Sequence, residues 1–366
     1  MPVLFVINPG STSTKTGLFR DDTCLGERVI RHPDELLQHP DGLGGQLVFR
    51  LAALTGVLEE DLARTGLTRA DVTAYVGRGG LLHPVDGGTY PVNQAMLDDL
   101  AANRYGEHAS NLGARIAAAL AWPEGKTAYI VDPPSVDEMF PLARYTGLPQ
   151  IRRRSAFHAL NQKAVARRAA AELGLDYDKA RLIVAHLGGG ISVAAHDQGR
   201  VVDVNDALEE GPFSPERAGT LPTLQLLRLA AEHQNDFTRL RRLINGRGGL
   251  YAYTGTTDCS RIEEEAAKRP DYRELLQAMG YQIAKAMAAL AASLEGRVDA
   301  LVVTGGLARS DILMGEIRRR VGFVAPLMVY AGEFELQALA AGVLRVLRGE
   351  EEPRHYTKEE SQDASF

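Results

Sequence analysis

Three apolar segments of the chain each lead into a turn rich in glycine, serine or threonine, and this pattern limits the folds open to it. The segments are Val3–Phe19 (VLFVINPGSTSTKTGLF), Leu182–Asp197 (LIVAHLGGGISVAAHD) and Ala300–Gly306 (ALVVTGG). Each begins like a buried strand, and in the first two a second apolar segment follows the turn. The first two lie roughly half a chain apart, which predicts a duplicated domain.

The rest of the chain alternates between strand-like and helix-like patterns, which predicts an α/β fold. Further strands are predicted at Ala74–Val76 and Thr127–Val131. Helices are predicted at Glu107–Ala121, Ala159–Leu173, Pro222–Glu232, Tyr272–Leu294 and Glu335–Arg348. The polar residues from Gly349 onward are expected to fray.

Length, charge and cysteine content narrow the class of protein. A length of 366 residues favours two domains over one ordinary core. A net charge of −6 gives no overall attraction to nucleic acid or to a membrane surface. Cys24 and Cys259 cannot build a disulfide framework, so a reducing cytoplasm is expected. The first apolar run stops at Asn8, which is too early for a signal peptide.

The glycine-rich turns point to phosphate. Glycine, serine and threonine let backbone N–H groups and hydroxyls approach phosphate oxygens closely, so three such turns predict a nucleotide site. A Walker A loop is excluded because Thr14, and not glycine, precedes Lys15. The dinucleotide fingerprint is also absent, since Gly188–Gly190 is followed by Ile191–Val193.

Eight short blocks carry a family resemblance, and the whole match runs from Val3 to about Arg348. They are INPGSTSTK (Ile7–Lys15), GRGGLLHP (Gly77–Pro84), VDPPSVDEM (Val131–Met139), SAFHALNQKAVARR (Ser155–Arg168), AHLGGGISVA (Ala185–Ala194), EGPFSPERAGTLP (Glu210–Pro222), GTTD (Gly255–Asp258) and LVVTGG (Leu301–Gly306). In this order the chain resembles the acetate and butyrate kinase family of the actin, sugar kinase and Hsp70 superfamily. The residues of these blocks resemble those of butyrate kinases more than those of acetate kinases.

The resemblance implies two duplicated actin-like ATPase domains of the ribonuclease H-like type, with a nucleotide cleft between them that closes and excludes water. Residues 1–133 together with 332–366 would form the acyl-substrate and phosphate-loop domain. Residues 134–331 would form the nucleotide-binding domain. A homodimer or a larger homo-oligomer is also implied.

The implied reaction is the reversible phosphorylation of butyrate by ATP, with Mg²⁺, to give ADP and butyryl phosphate. Acetate, propionate, isobutyrate and valerate stay open as alternative acids, because a pocket discriminates one methylene only weakly. Leu81, Leu82, Pro84 and Val92 could line an apolar acyl pocket or belong to the core. A non-catalytic ATP-binding protein of the same fold is the alternative from another class.

Four residues are implied in catalysis, and together they argue against a mere binding protein. A carboxylate substrate is already ionised, so the enzyme must align the reactants and neutralise charge. By resemblance, Arg78 meets the carboxylate or the transferred phosphoryl group, Arg217 is the second such arginine, and His158 hydrogen-bonds the phosphoryl group. Asp132 would orient a magnesium-bound water or the substrate. Structural roles for each are the alternatives: a surface arginine, a loop arginine, a packed histidine and a capping aspartate.

The resemblance also implies a nucleotide and metal site. The nucleotide-binding residues would be Ser11, Ser13 and Lys15 in the first phosphate loop, His186, Gly188, Gly189 and Gly190 in the second, Asp258 near the ribose or base, and Gly305 and Gly306 near adenosine. Asn8 and Glu335 would serve magnesium, with Glu333 as the alternative to Glu335. The role of Arg261 stays open, because Cys259 and Ser260 separate it from Asp258.

Overall fold

The computed structural model describes residues 1–40 and 42–358, which divide into two units. The first unit comprises Met1–Val136 and the segment that begins at Phe334, and the second comprises Asp137–Glu333. Each unit contains one β-sheet with helices packed against it.

The described residues form eleven strands, six in the first unit and five in the second. They are β1 (Val3–Pro9), β2 (Ser13–Arg20), β3 (Thr23–Arg31), β4 (Ala74–Arg78), β5 (Thr89–Pro91), β6 (Thr127–Val131), β7 (Arg181–Leu187), β8 (Ile191–Asp197), β9 (Arg200–Val204), β10 (Ala300–Gly305) and β11 (Leu327–Ala331).

The same residues form twelve α-helices, besides short 3₁₀ turns. They are α1 (Asp34–Leu37), α2 (Gly42–Thr65), α3 (Gln94–Ala101), α4 (Asn111–Ala121), α5 (Ala159–Glu172), α6 (Thr223–Glu232), α7 (Phe237–Ile244), α8 (Gly249–Thr254), α9 (Cys259–Glu265), α10 (Pro270–Leu290), α11 (Asp311–Val321) and α12 (Glu335–Leu347). No helix in the part of the chain that the structure describes is long and apolar enough to cross a membrane.

Five strands of each sheet share one topology, and β5 adds an antiparallel edge strand to the first sheet only. In the first unit the order is β3-β2-β1-β4-β6-β5, and in the second it is β9-β8-β7-β10-β11. In each, three antiparallel strands are followed by a strand that pairs in parallel with the first of them and by another that pairs in parallel with that one. Both second-to-third strand pairs also contain a register shift, at Leu18/Phe19 and at Ala195/His196. The predicted duplication of an α/β domain is therefore confirmed.

Each sheet lies at the centre of its unit and contains a strand that is buried along its whole length. Every residue of β1 and of β10 is buried, as expected for strands covered on both faces. In the first unit α4 packs directly on β4, where a Cβ added to Gly77 would lie 2.2 Å from the carbonyl oxygen of Gly113. Backbone therefore meets backbone at this contact, and no side chain fits between the two elements.

Several predicted boundaries are wrong, and several elements were not predicted, among them α2 and β3. The helix expected from Glu107 begins at Asn111, because residues 107–110 form a turn. The helix expected to reach Leu294 ends at Leu290 and continues as a 3₁₀ turn. The helix α2 was missed, since its three glycines within four residues obscure the helical pattern. The strand β3 was missed because it lies at the sheet edge and most of its side chains are exposed or half-buried.

The expectation that the chain frays from Gly349 is wrong for residues 349–358. Tyr356 is 2% exposed, and its hydroxyl donates to Asp99 at 2.7 Å. The Tyr356 carbonyl accepts from Asn93, and the backbone N–H of Arg354 donates to Thr89. One buried aromatic side chain thus fixes a segment that its polar composition alone would leave free.

We expect Gly77→Ala to destabilise the first unit by about 1–3 kcal/mol, because the added methyl overlaps the α4 backbone and forces the two elements apart. The free energy of unfolding from urea titration measures this. Gly56→Ala in α2 is the matched control, since nothing lies within 4 Å of the added methyl. That control should be neutral or stabilising by up to about 1 kcal/mol, because alanine is the better helix former. Equal effects of the two substitutions would contradict this account of the contact.

Candidate functional site

In the first unit, the parallel pairing of β1 with β4 brings Asn8 and Arg78 together. The pairing register matches Ile7 to Gly77, so the next residue of each strand lies at the carboxyl edge of the sheet. The Arg78 Nη1 donates to Asn8 Oδ1 at 3.3 Å and forms an ion pair with Glu335 Oε1 at 2.7 Å. The Asn8 Nδ2 donates to Glu335 Oε2 at 2.6 Å. These three side chains form one polar cluster at the strand ends.

The structure separates the two candidate glutamates. Glu335 is the first residue of α12 and joins the cluster of Asn8 and Arg78. Glu333 belongs to the second unit and lines a cavity there. Of the two, Glu335 is therefore the glutamate that is hydrogen-bonded to Asn8.

Asp132 directly follows β6 and has an unusual backbone. Its φ of 39° lies in the left-handed region, which non-glycine residues seldom adopt. Its Oδ1 accepts from the N–H of Gly88 at 2.7 Å, and its own N–H donates to the Gly88 carbonyl at 2.9 Å. The carboxylate therefore fixes the turn before β5, and its predicted role toward magnesium or substrate stays a prediction.

The predicted first phosphate loop is the turn between β1 and β2. Ser11 is exposed, and Ser13 begins β2. Lys15 lies directly across from Asn8 in the antiparallel pair, so the two side chains leave the same face of the sheet. The structure thus brings Lys15 to the face on which Asn8 meets Glu335.

Arg50 of α2 fixes this loop from beneath, and sequence analysis missed it. Its guanidinium is fully buried and donates to the carbonyls of Gly10 and Ser11 at 3.0 and 3.1 Å, and to Thr14 Oγ1 at 3.1 Å. Burial lowers the pKa of Arg50 to about 10, which leaves it charged at neutral pH. The buried positive charge of Arg50 therefore holds the Gly10 and Ser11 carbonyls toward the interior of the unit. No sequence signal identifies Arg50, because it lies in a helix that the pattern did not reveal.

In the second unit, His158 and His186 stack on each other. Their ring centroids are 3.9 Å apart and the ring planes differ by 16°. His158 precedes the first turn of α5, and its Nδ1 lies 2.9 Å from Ser192 Oγ. His186, in β7, is nearly buried, and its Nδ1 lies 3.1 Å from Asn161 Oδ1. The structure therefore brings together two of the predicted histidines.

A chain of buried hydrogen bonds continues inward from Ser192. Gln162 Nε2 donates to Ser192 Oγ at 2.8 Å and to the Ser192 carbonyl at 3.0 Å. Gln162 Oε1 lies 3.1 Å from His196 Nε2, and His196 Nδ1 lies 2.9 Å from the Tyr177 hydroxyl. Burial, and then the charges of Lys163 and Arg167, lower the pKa of His196 well below its usual value. Sequence analysis missed these residues, because the pairing of β7 with β8 and the packing of α5 create the chain.

The side chain of Arg217 packs closely against the second glycine turn. A Cβ added to Gly190 would lie 2.0 Å from Arg217 Nη1, so a larger residue there would have to displace the guanidinium. Arg217 Nη1 donates to the Ala207 carbonyl at 2.9 Å, while its buried Nε has no hydrogen-bond partner among the described residues. Burial lowers the pKa of Arg217. A buried, incompletely bonded guanidinium beside a glycine turn is suited to an anionic ligand.

A cavity of about 650 Å³ opens beside this turn within the second unit. Of the predicted nucleotide residues, Gly188, Gly189, Asp258 and Gly306 line it, together with Glu333. Gly305 supports the wall, since its φ is 95° and a Cβ there would lie 2.2 Å from the Leu187 carbonyl oxygen. The volume suits a small-molecule ligand.

Asp258 and Arg261 both have structural partners within the second unit. Asp258 is the N-cap of α9, and its Oδ1 accepts from the N–H groups of Ser260 and Arg261 at 3.1 and 3.2 Å. The Arg261 side chain donates instead to Glu265 at 3.1 Å. The remaining carboxylate oxygen of Asp258 has capacity for a ligand hydroxyl, and its predicted role near the ribose or base stays a prediction.

Of the four residues that could line an acyl pocket or belong to the core, two lie in the core and two are accessible. Leu82 and Val92 are buried members of the first unit's core. Leu81 is half-buried and Pro84 is exposed. Of the four, only these last two are accessible to a substrate.

Comparison with known proteins gives consistent matches. The sequence profile described as the acetokinase family matches residues 133–321. Over 356 residues the chain is 46% identical to butyrate kinase 2 of Clostridium acetobutylicum, which covers 96% of this chain and 99% of that relative.

Solved structures agree on the fold. The acetate kinase of Porphyromonas gingivalis has a TM-score of 0.79 at 20% identity, with 95% of this chain and 100% of that chain covered. A propionate kinase of Francisella tularensis has a TM-score of 0.72 at 19% identity, with 93% and 98% covered. The predicted fold class of duplicated actin-like ATPase domains is thereby confirmed.

We expect His32, whose Nε2 lies 2.8 Å from Thr14 Oγ1, to make stability depend on pH. Burial, and then the charge of Arg50, lower the pKa of His32 to about 4. In the unfolded chain a histidine has a pKa of about 6.5, so between about pH 6.5 and 4 the unfolded state binds a proton that the folded state excludes. The stability contributed by neutral His32 is thus present above pH 6.5 and lost as the pH falls through this window.

His32→Gln should therefore lose less stability than the wild type between pH 7 and pH 5, as measured by urea unfolding at both values. His355→Gln, at an exposed position, is the matched control and should follow the wild type. If His32→Gln and the wild type lose the same stability over this interval, then His32 does not titrate as stated.

Proposed function

The chain belongs to the acetokinase family, and on that premise we propose that it phosphorylates butyrate with ATP, giving butyryl phosphate and ADP. A carboxylate oxygen of the acid forms a bond to the γ-phosphorus while the bond to the β–γ bridging oxygen breaks. The electron pair of that bond leaves with ADP. No base is needed, because the acid is already ionised at neutral pH.

The observation that carries the proposal is the cluster of Arg78, Asn8 and Glu335 in the first unit. The planar fork of Arg78 suits a carboxylate or a phosphoryl group. We propose that the ion pair between Arg78 and Glu335 weakens when the acid binds, and that Arg78 then binds the carboxylate of the acid. Lys15, on the same face of the sheet, would add a second positive charge.

The residues present fit magnesium. Mg²⁺ prefers oxygen ligands and takes one or two carboxylates from the protein, with waters and phosphates completing its shell. Asn8 Oδ1 and Glu335 Oε1 both lie close to Arg78 Nη1, at 3.3 and 2.7 Å, so an amide oxygen and a carboxylate oxygen already converge on one positive charge. When bound, the ion would neutralise charge on the phosphates. The described residues contain no group of three or more His, Cys, Asp or Glu that could hold a metal.

In the second unit we propose that the cavity beside Gly188 and Gly189 takes the nucleotide. The glycine turn presents backbone N–H groups to phosphate oxygens, and Asp258 can accept from a ribose hydroxyl. His158 would donate to the phosphoryl group. Arg217, with its unsatisfied buried Nε, would neutralise phosphate charge.

Butyrate is proposed as the acid because of the 46% identity to a butyrate kinase over nearly the whole chain. Propionate and acetate are second candidates, since the structural neighbours include kinases of those acids. The two half-exposed or exposed residues after Arg78, namely Leu81 and Pro84, would tune the choice of chain length.

We expect the purified protein, supplied with Mg-ATP and hydroxylamine, to yield more acyl hydroxamate from butyrate than from acetate, propionate, isobutyrate or valerate. Hydroxylamine converts the acyl phosphate into a coloured hydroxamate, so the assay reports acyl transfer itself. Arg78→Lys should lower kcat by about 10²-fold or more, because lysine lacks the planar fork. Arg273→Lys, at an exposed position, is the matched control.

The outcomes of this experiment test the choice of acid, the kinase reaction and the role of Arg78 separately. Strongest signal from another acid would overturn butyrate and leave the kinase reaction standing. Absence of hydroxamate from every acid, with ATP still bound, would overturn the kinase and favour a binding protein. Full activity of Arg78→Lys would remove Arg78 from the reaction.

We also propose that the protein self-associates through α6 and α7. Neither helix buries a single residue within its own unit, and Leu224, Leu227 and Phe237 are 71%, 61% and 75% exposed. Short helices are unstable without a packed apolar face, and contiguous exposed apolar side chains mark interaction surfaces. A second copy of the chain would cover this face.

The double substitution Leu224→Gln with Leu227→Gln should therefore lower the mass measured by size-exclusion chromatography with light scattering. The monomer has a mass of 39.7 kDa, and we expect the wild type at twice this value or more. Val48→Gln changes an equally exposed apolar residue of α2 and should leave the mass unchanged. A wild type at the monomer mass would rule out the proposed self-association.

A further inference from the structure

The orientation of one buried amide determines the protonation pattern of the chain that leads to His158. Gln162 Nε2 lies 3.0 Å from the carbonyl oxygen of Ser192. A carbonyl oxygen can only accept, so the nitrogen of the Gln162 amide must face it, and the amide oxygen must face the other way. The two ends of this amide are thereby distinguished by chemistry.

The inner half of the chain follows from this orientation. Gln162 Oε1 faces His196 Nε2 at 3.1 Å, so His196 carries its proton on Nε2. His196 Nδ1 then accepts from the Tyr177 hydroxyl at 2.9 Å. His196 is fully buried, which favours the neutral ring that this arrangement requires.

The outer half of the chain follows in the same way. Ser192 Oγ receives the Gln162 Nε2 donor at 2.8 Å and, more distantly, the backbone N–H of His158 at 3.5 Å. A hydroxyl has two acceptor sites and one proton. With donors on its acceptor side, Ser192 gives that proton to His158 Nδ1 at 2.9 Å. His158 Nδ1 therefore accepts, and the ring proton is left on Nε2.

We propose that Gln162 and Ser192 are positioning residues that hold His158 as the neutral Nε2–H tautomer. This inference rests on the proposed function, in which His158 meets an anionic phosphoryl group. The Nε2–H of His158 can donate a hydrogen bond to a phosphoryl oxygen, whereas the opposite tautomer would present a lone pair and repel it. Fixing the tautomer in advance avoids reorganisation during transfer.

The contacts of Ser192 also disfavour a donor at His158 Nδ1. Such a donor would point at a hydroxyl oxygen to which Gln162 Nε2 and the backbone N–H of His158 already donate.

The test is the ring ¹⁵N spectrum of the full chain labelled at histidine, without substrates, with the His158 signals assigned by their loss in His158→Gln. In the wild type we expect a protonated Nε2 and a hydrogen-bonded, unprotonated Nδ1. In Ser192→Ala we expect the Nδ1 signal to lose its hydrogen-bond shift and the Nδ1–H tautomer to become populated. Since one hydrogen bond is lost, kcat should fall about tenfold with KM changed less.

Tyr177→Phe is the matched control, because it removes a hydrogen bond from the far end of the same chain while the Ser192 carbonyl still orients Gln162. It should leave the His158 ring signals in place. A wild-type His158 protonated on Nδ1 would overturn the proposal without any variant, as would unchanged His158 signals in Ser192→Ala. Because the spectrum needs no turnover, a correct tautomer in a protein that forms no hydroxamate would refute only the kinase function.

Discussion

The parallel pairing between the first and fourth strands of each unit is the constraint on which the rest of the site depends. In the first unit the pairing of β1 with β4 sets Asn8 beside Arg78 at the strand ends. In the second unit the pairing of β7 with β10 positions His186 next to the Gly305 turn. A shift of one residue would turn each side chain to the opposite face of the sheet. The close contact of Gly77 with Gly113 holds β4 against α4 in the first unit.

Buried polar groups then determine how the site residues are oriented. Arg50, Thr14 and His32 form one such group beneath the first loop, and Gln162 with Ser192 forms another beneath His158. Burying such groups costs free energy unless they are hydrogen-bonded, so they are usual where orientation matters. Within each unit, buried polar residues that are not proposed to bind a ligand thus orient the residues that are.

Much of the fold and part of the site could be predicted from sequence. The apolar strands at Val3 and Leu182 and the glycine turns after them are local patterns, and the structure has them where expected. The helix α2 and its residue Arg50 could not be predicted, since glycines hide the helical period. The ordered segment at Tyr356 was missed for a related reason, because its contacts come from residues more than 250 positions earlier.

The sequence by itself determined the α/β class, the duplication, the positions of the glycine-rich turns and the residue types available for phosphoryl transfer, because these follow from local periodicity and from the chemistry of short motifs. Only the tertiary structure decided that Glu335 and not Glu333 joins Asn8 and Arg78, and that Leu82 and Val92 belong to the core. It alone also decided which protons the His158 chain carries. The physical reason is that hydrogen-bond partners and burial depend on strand register and helix packing, which join residues far apart in the chain.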